Sequence, residues 1–186
     1  MRNLNSIFNE IADNHTDYTA ALRLVQQNSR GRIWVIGGFV FRNLASRLYG
    51  APAQACDYDF MVEQMEPHLR LPQGWTEQRN SHGNPKIVGP STIDLIPLHN
   101  MWYFVNKGIT PTIEGFLERT PLTIQSIAYD TVDKKVFGDV GIKALYEKTV
   151  TVHHPEVAAR IASLKGKTVE QLVREKADSL GFRAVL

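Results

Sequence analysis

Apolar and polar positions alternate along the chain in short blocks. Between Asn3 and Asn28 the apolar residues Ile7, Phe8 and Ile11, then Ala21, Leu22 and Val25, recur at helical spacing. That predicts one or two helices, the second capped by Asp17. Ser29-Arg30-Gly31 breaks the period. Arg32 to Ile36 is short, β-branched and bounded by glycines, which predicts a buried strand. Gly37-Gly38 ends it, and Val40, Leu44 and Leu48 predict a helix from Phe39 to Tyr49 that Gly50-Ala51-Pro52 stops. Cys56 to Val62 reads as a second strand, followed by helix or loop to about Gln73. Trp75 to Arg79, Lys86 to Val88 and Ser91 to Pro97 read as strands of a hairpin-like region, with turn formers at His82-Gly83-Asn84-Pro85 and Gly89-Pro90. Helices are then expected over Pro111 to Leu117, Leu122 to Ala128, Pro155 to Leu164 and Val169 to Leu180. Short strands are expected over Val136 to Val140 and Thr149 to Val152. The pattern describes an α+β domain over 1–153 and a helical extension over 154–186.

Composition narrows the class. Of 186 residues, 43% are hydrophobic and 22% charged, which excludes a disordered, collagen-like or disulfide-framework chain. The one cysteine, Cys56, allows no intrachain disulfide and suits a reducing compartment. Glu10 and Asp13 fall where a secretion signal needs an apolar core. The longest apolar-or-glycine run, Ile33 to Phe41, is far shorter than the roughly 20 residues of a membrane span. A cytoplasmic protein without a membrane partner is expected. The net charge of +2 permits a nucleic-acid partner without requiring one.

Three features carry chemistry. Gly37-Gly38 joins a strand to a helix, where backbone N–H groups can approach a phosphate and the helix N-terminus favours negative charge. Asp57 and Asp59, two apart on a strand, share a face and repel each other unless a cation sits between them. Asp94 is a lone carboxylate within the β-branched and aliphatic run Ser91 to Ile96. Each also has a plain structural reading: a tight turn, a solvated strand end, an outward-facing strand residue. If the strand of Asp94 lies beside that of Asp57, three carboxylates converge. Such a triad can hold two magnesium ions, one lowering the pKa of an attacking hydroxyl and one steadying a triphosphate.

The order of these pieces resembles the DNA-polymerase-β-like nucleotidyltransferase superfamily, and more closely the head domain of CCA-adding tRNA nucleotidyltransferases and bacterial poly(A) polymerases. The family's Gly-Gly-x-Val-Arg-Asp, helix, Asp-x-Asp order is met by Gly37-Gly38-Phe39-Val40-Phe41-Arg42, a helix to Gly50, and Asp57-Tyr58-Asp59. Asp94 falls at the family's third carboxylate. Arg119 to Tyr129 is similar to the family's Arg-Arg-Asp-Phe-Thr-Ile-Asn-Ala-Leu-Ala-Tyr, and Phe137-Gly138-Asp139 to its Phe-Gly-Gly stretch. Ala177 to Phe182 resembles the start of the neck helices. The resemblance spans about residues 32 to 182, with gaps.

It implies a mixed sheet flanked by helices and transfer of a nucleoside monophosphate from an NTP, ATP among them, to a hydroxyl such as an RNA 3′ end, releasing pyrophosphate. It implies Gly37 and Gly38 at the triphosphate. Asp57, Asp59 and Asp94 would be catalytic ligands for magnesium or manganese, Asp94 also assisting deprotonation of the acceptor. Arg42, Arg119, Thr123 and Gln125 would lie at the nucleotide; an arginine fork suits phosphate.

The chain departs from the pattern. Phe41-Arg42 replaces Arg-Asp, Pro121 replaces Asp, and Gln125 replaces Asn. The family's CTP- and ATP-selecting neck residues and its tRNA-gripping body have no counterpart, so full CCA addition by this chain alone is not expected, and a partner chain or homo-oligomer would fill the gap. Two alternatives stay open: a catalytically impaired nucleotide- or RNA-binding module, and a minimal transferase acting on a protein or small molecule. His153-His154, His82, His99, Cys56 and the three tryptophans are read as structural or solvated.

Overall fold

The computed structural model describes residues 3–51, 57–80 and 82–186. It opens with α1 (Leu4–Asn14), whose N-terminal N–H groups on Asn5 and Ser6 donate to the Asn3 side chain. Then comes α2 (Thr16–Gln27), capped not by Asp17 but by His15, whose Nδ1 accepts from the Tyr18 N–H. α1 runs on to Asn14, so the break between the helices is the single residue His15, and Asp17 falls inside the first turn.

β1 (Ser29–Ile36) leads through Gly37 into α3 (Gly38–Tyr49), which ends on left-handed Gly50. β2 (Tyr58–Met65) follows, and the stretch to Gln73 contains no helix. Cys56, expected at the start of this strand, lies outside the described residues. β3 (Thr76–Arg79), β4 (Pro85–Val88) and β5 (Thr92–Pro97) form as the turn signals predict.

The second half departs further from the sequence expectation. α4 (Trp102–Lys107) was not foreshadowed, whereas α5 (Ile113–Leu117) was. Leu122 to Ala128, expected as a helix, is a single 3-10 turn at Thr123–Gln125 followed by β6 (Ala128–Asp130). Ile124, Ile127 and Ala128 are all fully buried, so their spacing does not separate helix from strand, and the free edge of β1 captures the segment. β7 (Lys135–Phe137) stops at Gly138, where α6 (Asp139–Glu147) takes over the residues expected to continue the strand. Gly138 has φ 106°, and a Cβ there would strike the Ser126 carbonyl. β8 (Thr149–Val150), α7 (Pro155–Leu164), α8 (Val169–Asp178) and β9 (Arg183–Ala184) complete the chain. His154 caps α7 through Nδ1, in keeping with its structural reading.

Seven strands form one mixed sheet in the order β3-β4-β5-β2-β1-β6-β7. Within this sheet, among the described residues, only β2 and β5 run parallel. Because side chains alternate across a strand, Val35, Phe60, Ile87, Ile93 and Leu95 point to one face and pack with residues of α1, α2 and α3 in the main core. Trp34, Ile36 and Met61 point to the other, beneath Tyr103, Phe104, Ile113 and Leu117 of α4 and α5. The extension shares the main core: Val173, Ala177, Leu180 and Phe182 join the same cluster as Phe41 and Leu44, and β9 pairs with β8. No helix among the described residues is long and apolar enough to cross a membrane.

The β1–β6 pairing is locked by Asp130, which is 4% exposed. Its carboxylate accepts from Trp34 Nε1 (3.0 Å), Arg32 Nη1 (2.6 Å) and the N–H groups of Val132 and Asp133 (2.9 Å each). Burial pushes its pKa up, but the Asp133 and Val132 N–H groups and the Arg32 guanidinium outweigh burial and hold it below the usual carboxylate range. The stabilisation is therefore present above the unfolded pKa and lost as pH falls through the folded one. Asp130→Ala is expected to cost about 2–3 kcal/mol at pH 7. Urea denaturation at pH 7 and near pH 3 should show the penalty shrinking at the lower pH.

Candidate active site

The parallel pairing of β2 with β5 builds the site. Asp59 and Asp94 are direct register partners, so their side chains leave the sheet on the same face, side by side. The row extends both ways: Ile36 of β1 lies opposite Asp59, and Lys86 of β4 lies opposite Asp94. Asp57, two residues before Asp59, borders the same row. This is the face that α4 and α5 cover farther along, over Trp34 and Met61, while the acidic row stays partly exposed.

Gly37 closes the row from above. It has φ 71° and ψ −151°, and a Cβ on it would overlap the Asp59 carboxylate. Glycine is required here both by conformation and by space. The Gly38 N–H, first in α3, hydrogen-bonds the Asp59 carboxylate. The strand-glycine-helix turn therefore lies directly against the acidic row.

Burial is the main force raising the Asp59 pKa, to about 7, with Asp94 and Asp57 adding to it and Lys86 and the Gly38 N–H opposing. The Lys86 ammonium lies 2.6 Å from Asp57 Oδ2 and 3.9 Å from Asp94 Oδ2. Asn80 Nδ2 donates to Asp94 Oδ1 at 3.0 Å, while Asn80 Oδ1 accepts from the N–H groups of His82 and Asn84 and shapes the β3–β4 turn. Among the described residues no three carboxylate, imidazole or thiolate groups converge as a ready-made metal cluster, and Asp57 is turned to Lys86. The donor set still suits a hard divalent cation: two enclosed carboxylates side by side, one reluctant to ionise without positive charge beside it, and a third within the same row.

The chain matches no protein-family profile and no curated protein sequence. It does superpose on solved structures. A CCA-adding enzyme in complex with CTP is similar to it with a TM-score of 0.54 and 18% identity, over 95% of this chain and 46% of that one. The Thermotoga maritima CCA-adding enzyme complexed with tRNA is similar with a TM-score of 0.52 and 17% identity, over the same shares of the two chains. The fold is that of a nucleotidyltransferase head domain. The chain spans under half the length of those structures, and at this identity the likeness concerns the fold.

In this nucleotidyltransferase fold the residues singled out in the sequence fall into separate places. Asp59, Asp94, Gly37 and Gly38 come together, while Asp57 stands at the edge of the row, paired with Lys86. Arg42, one turn along α3, and Gln125 meet elsewhere, in a cavity of about 210 Å³ between α3, the 3-10 turn, α7 and α8 that Lys165 and Lys176 also line. Arg119 and Thr123 are engaged with the protein itself. Arg119 donates to the Gly115 carbonyl and lies over the Tyr103 ring, and the Thr123 hydroxyl accepts from the Thr151 N–H.

Sequence reasoning missed Lys86 and Asn80. A signal for Lys86 was present: Ile87 is a core residue, so Lys86 had to face the opposite side of β4, the side of Asp94. Only the hairpin register places it opposite Asp94.

A folded pKa raised above the unfolded one means that an unpaired Asp59 weakens the fold as pH rises from about 4 through 7. Asp59→Asn, which keeps an acceptor for the Gly38 N–H, should therefore raise Tm in metal-free buffer at pH 8 by at least about 3 °C. The gain should shrink at pH 5 and vanish below about pH 4, as scanning calorimetry across these pH values would reveal.

Proposed function

We propose that the protein is a metal-dependent nucleotidyltransferase that moves a nucleoside monophosphate from an NTP to a hydroxyl, with an RNA 3′ end as acceptor and pyrophosphate as the second product. One observation carries this reading: the facing Asp59–Asp94 pair lies against a strand-glycine-helix turn, bringing anionic metal ligands and a helix N-terminus to one place.

Asp59 and Asp94, with Asp57 in the same row, would hold magnesium or manganese. When bound, the metal supplies neutralising charge at the phosphates and makes the acceptor hydroxyl easier to deprotonate. The protein's own residues supply position. The amide groups of the first turn of α3 beyond Gly38 lack intrahelical acceptors and would be offered to the phosphates. Gly37, lacking a Cβ, lets the phosphates approach the carboxylates. Asp94 takes the proton of the acceptor hydroxyl. Arg42 and Gln125, with Lys165 and Lys176, offer donors to the sugar and base side of the nucleotide from the cavity beside α3.

A second reading, a nucleotide- or RNA-binding module without the reaction, is favoured by one observation: Arg119 and Thr123, two of the four weaker nucleotide candidates, are spent on the protein's own backbone. Incubation with each α-labelled NTP, manganese or magnesium, and total RNA separates the two. The transferase reading predicts label on RNA, and Asp94→Ala should cut labelling at least about a thousandfold while leaving the far-UV spectrum unchanged. Binding of nucleotide with no label on RNA, protein or small molecules would select the module.

A further inference from the structure

The acidic row contains a positive charge of its own. Lys86 reaches it from β4, the strand beyond Asp94, and its place is set by the sheet. Its Cα is registered with that of Asp94, and its neighbour Ile87 is fully buried in the main core. A flip to the other face would break that strand, so the ammonium is delivered to the carboxylates by the fold.

The contact is unequal. The ammonium is 2.6 Å from Asp57 and 3.9 Å from Asp94, whereas Asp59 receives the Gly38 N–H instead. The side chain is 29% exposed, so the pair with Asp57 is only partly screened by water. Asn80 adds a neutral donor to Asp94 from the same hairpin. The β3–β4 hairpin therefore sends one cation and one amide into the row, the cation in hydrogen-bonding contact with Asp57, at longer range from Asp94 and outside ion-pair distance of Asp59.

We propose that Lys86 occupies one of the two cation positions of the acidic row, so that the protein binds a single divalent ion, between Asp59 and Asp94, and the lysine ammonium serves at Asp57 in place of a second. This rests on the reading of the row as a metal site. The argument is electrostatic. Three carboxylates in one row need positive charge, and a fixed ammonium at hydrogen-bonding distance from Asp57 supplies it at no cost in binding entropy. A divalent ion arriving at Asp57 must displace that ammonium or bear its repulsion at a few ångströms, where screening by salt is weak. At Asp94 the ammonium is 3.9 Å away rather than 2.6 Å, and Asp59 lies outside ion-pair distance of it, so the obstacle there is smaller. Lys86 is in this sense a positioning residue: it holds Asp57 away from the ion that Asp59 and Asp94 share.

The test counts ions, independently of any reaction. Binding of Mn²⁺ alone to the full chain is followed by electron paramagnetic resonance of the free ion. The expected result is one Mn²⁺ per wild-type chain and two per Lys86→Met chain, the second at least about tenfold tighter than any second site in the wild type. Lys86→Arg keeps the cation and should bind one ion, which also guards against a misfolded methionine variant. Asp57→Asn should leave the first ion in place. Two ions of similar affinity in the wild type, or one ion in both wild type and Lys86→Met with Lys86→Arg folded, would overturn the inference and leave the metal site standing. No Mn²⁺ bound by wild type or either Lys86 variant would overturn the inference together with the metal site.

Discussion

Everything at the candidate site depends on the register of one parallel strand pair. Among the described residues β2 and β5 are the only parallel neighbours in this sheet, and their alignment sets Asp59 beside Asp94. A shift of one residue would send either carboxylate into the apolar layer beneath α1–α3. Core side chains hold the register: Phe60 of β2 faces Leu95 of β5, and Tyr58 faces Ile93, all on the buried face. The hydrophobic pattern that folds the sheet is thus the pattern that juxtaposes two like charges. The electrostatic cost falls on Asp59, and three neighbours temper it: the Gly38 N–H, the Lys86 ammonium and a glycine small enough to let the turn come close.

The glycine turn links the two halves of this arrangement. β1 ends at Ile36, opposite Asp59, and α3 starts two residues later. Only a residue without a side chain fits between them, because both the backbone conformation and the space are denied to any other. The helix N-terminus and the acidic row are therefore held at one spacing by the shortest connection a chain can make. That rigidity suits the proposed alignment of phosphates with carboxylates.

Much of this was legible in the sequence, and the reasons are specific. The Asp57–Asp59 spacing, the Gly37-Gly38 boundary and the lone Asp94 are local signals, and strand periodicity turns them into a statement about faces. The three strands Thr76–Arg79, Pro85–Val88 and Thr92–Pro97 were marked by glycine and proline punctuation. The segment Leu122 to Ala128 was not legible, because Ile124, Ile127 and Ala128 are all fully buried and their spacing fits a helix as well as a strand. Lys86 and Asn80 were missed for a different reason. Their importance lies in which residue they face across a hairpin, and pairing register is a tertiary fact. Arg119 and Thr123 matched a motif in the sequence, yet the fold engages both with neighbouring backbone.

The position of β1 between β2 and β6 also governs how the chain is made. Trp34 pairs with Asp130, 96 residues later, whereas the β1–β2 pairing spans only about thirty. During synthesis β1 has one neighbour early and waits for the other until Asp130 has been made. For that interval the edge through Trp34, Val35 and Ile36 is open, apolar and able to pair with any strand it meets. The half of the sheet that carries the candidate site can assemble first, but its lock arrives later, so the nascent chain is most exposed to aggregation when that site is already laid out.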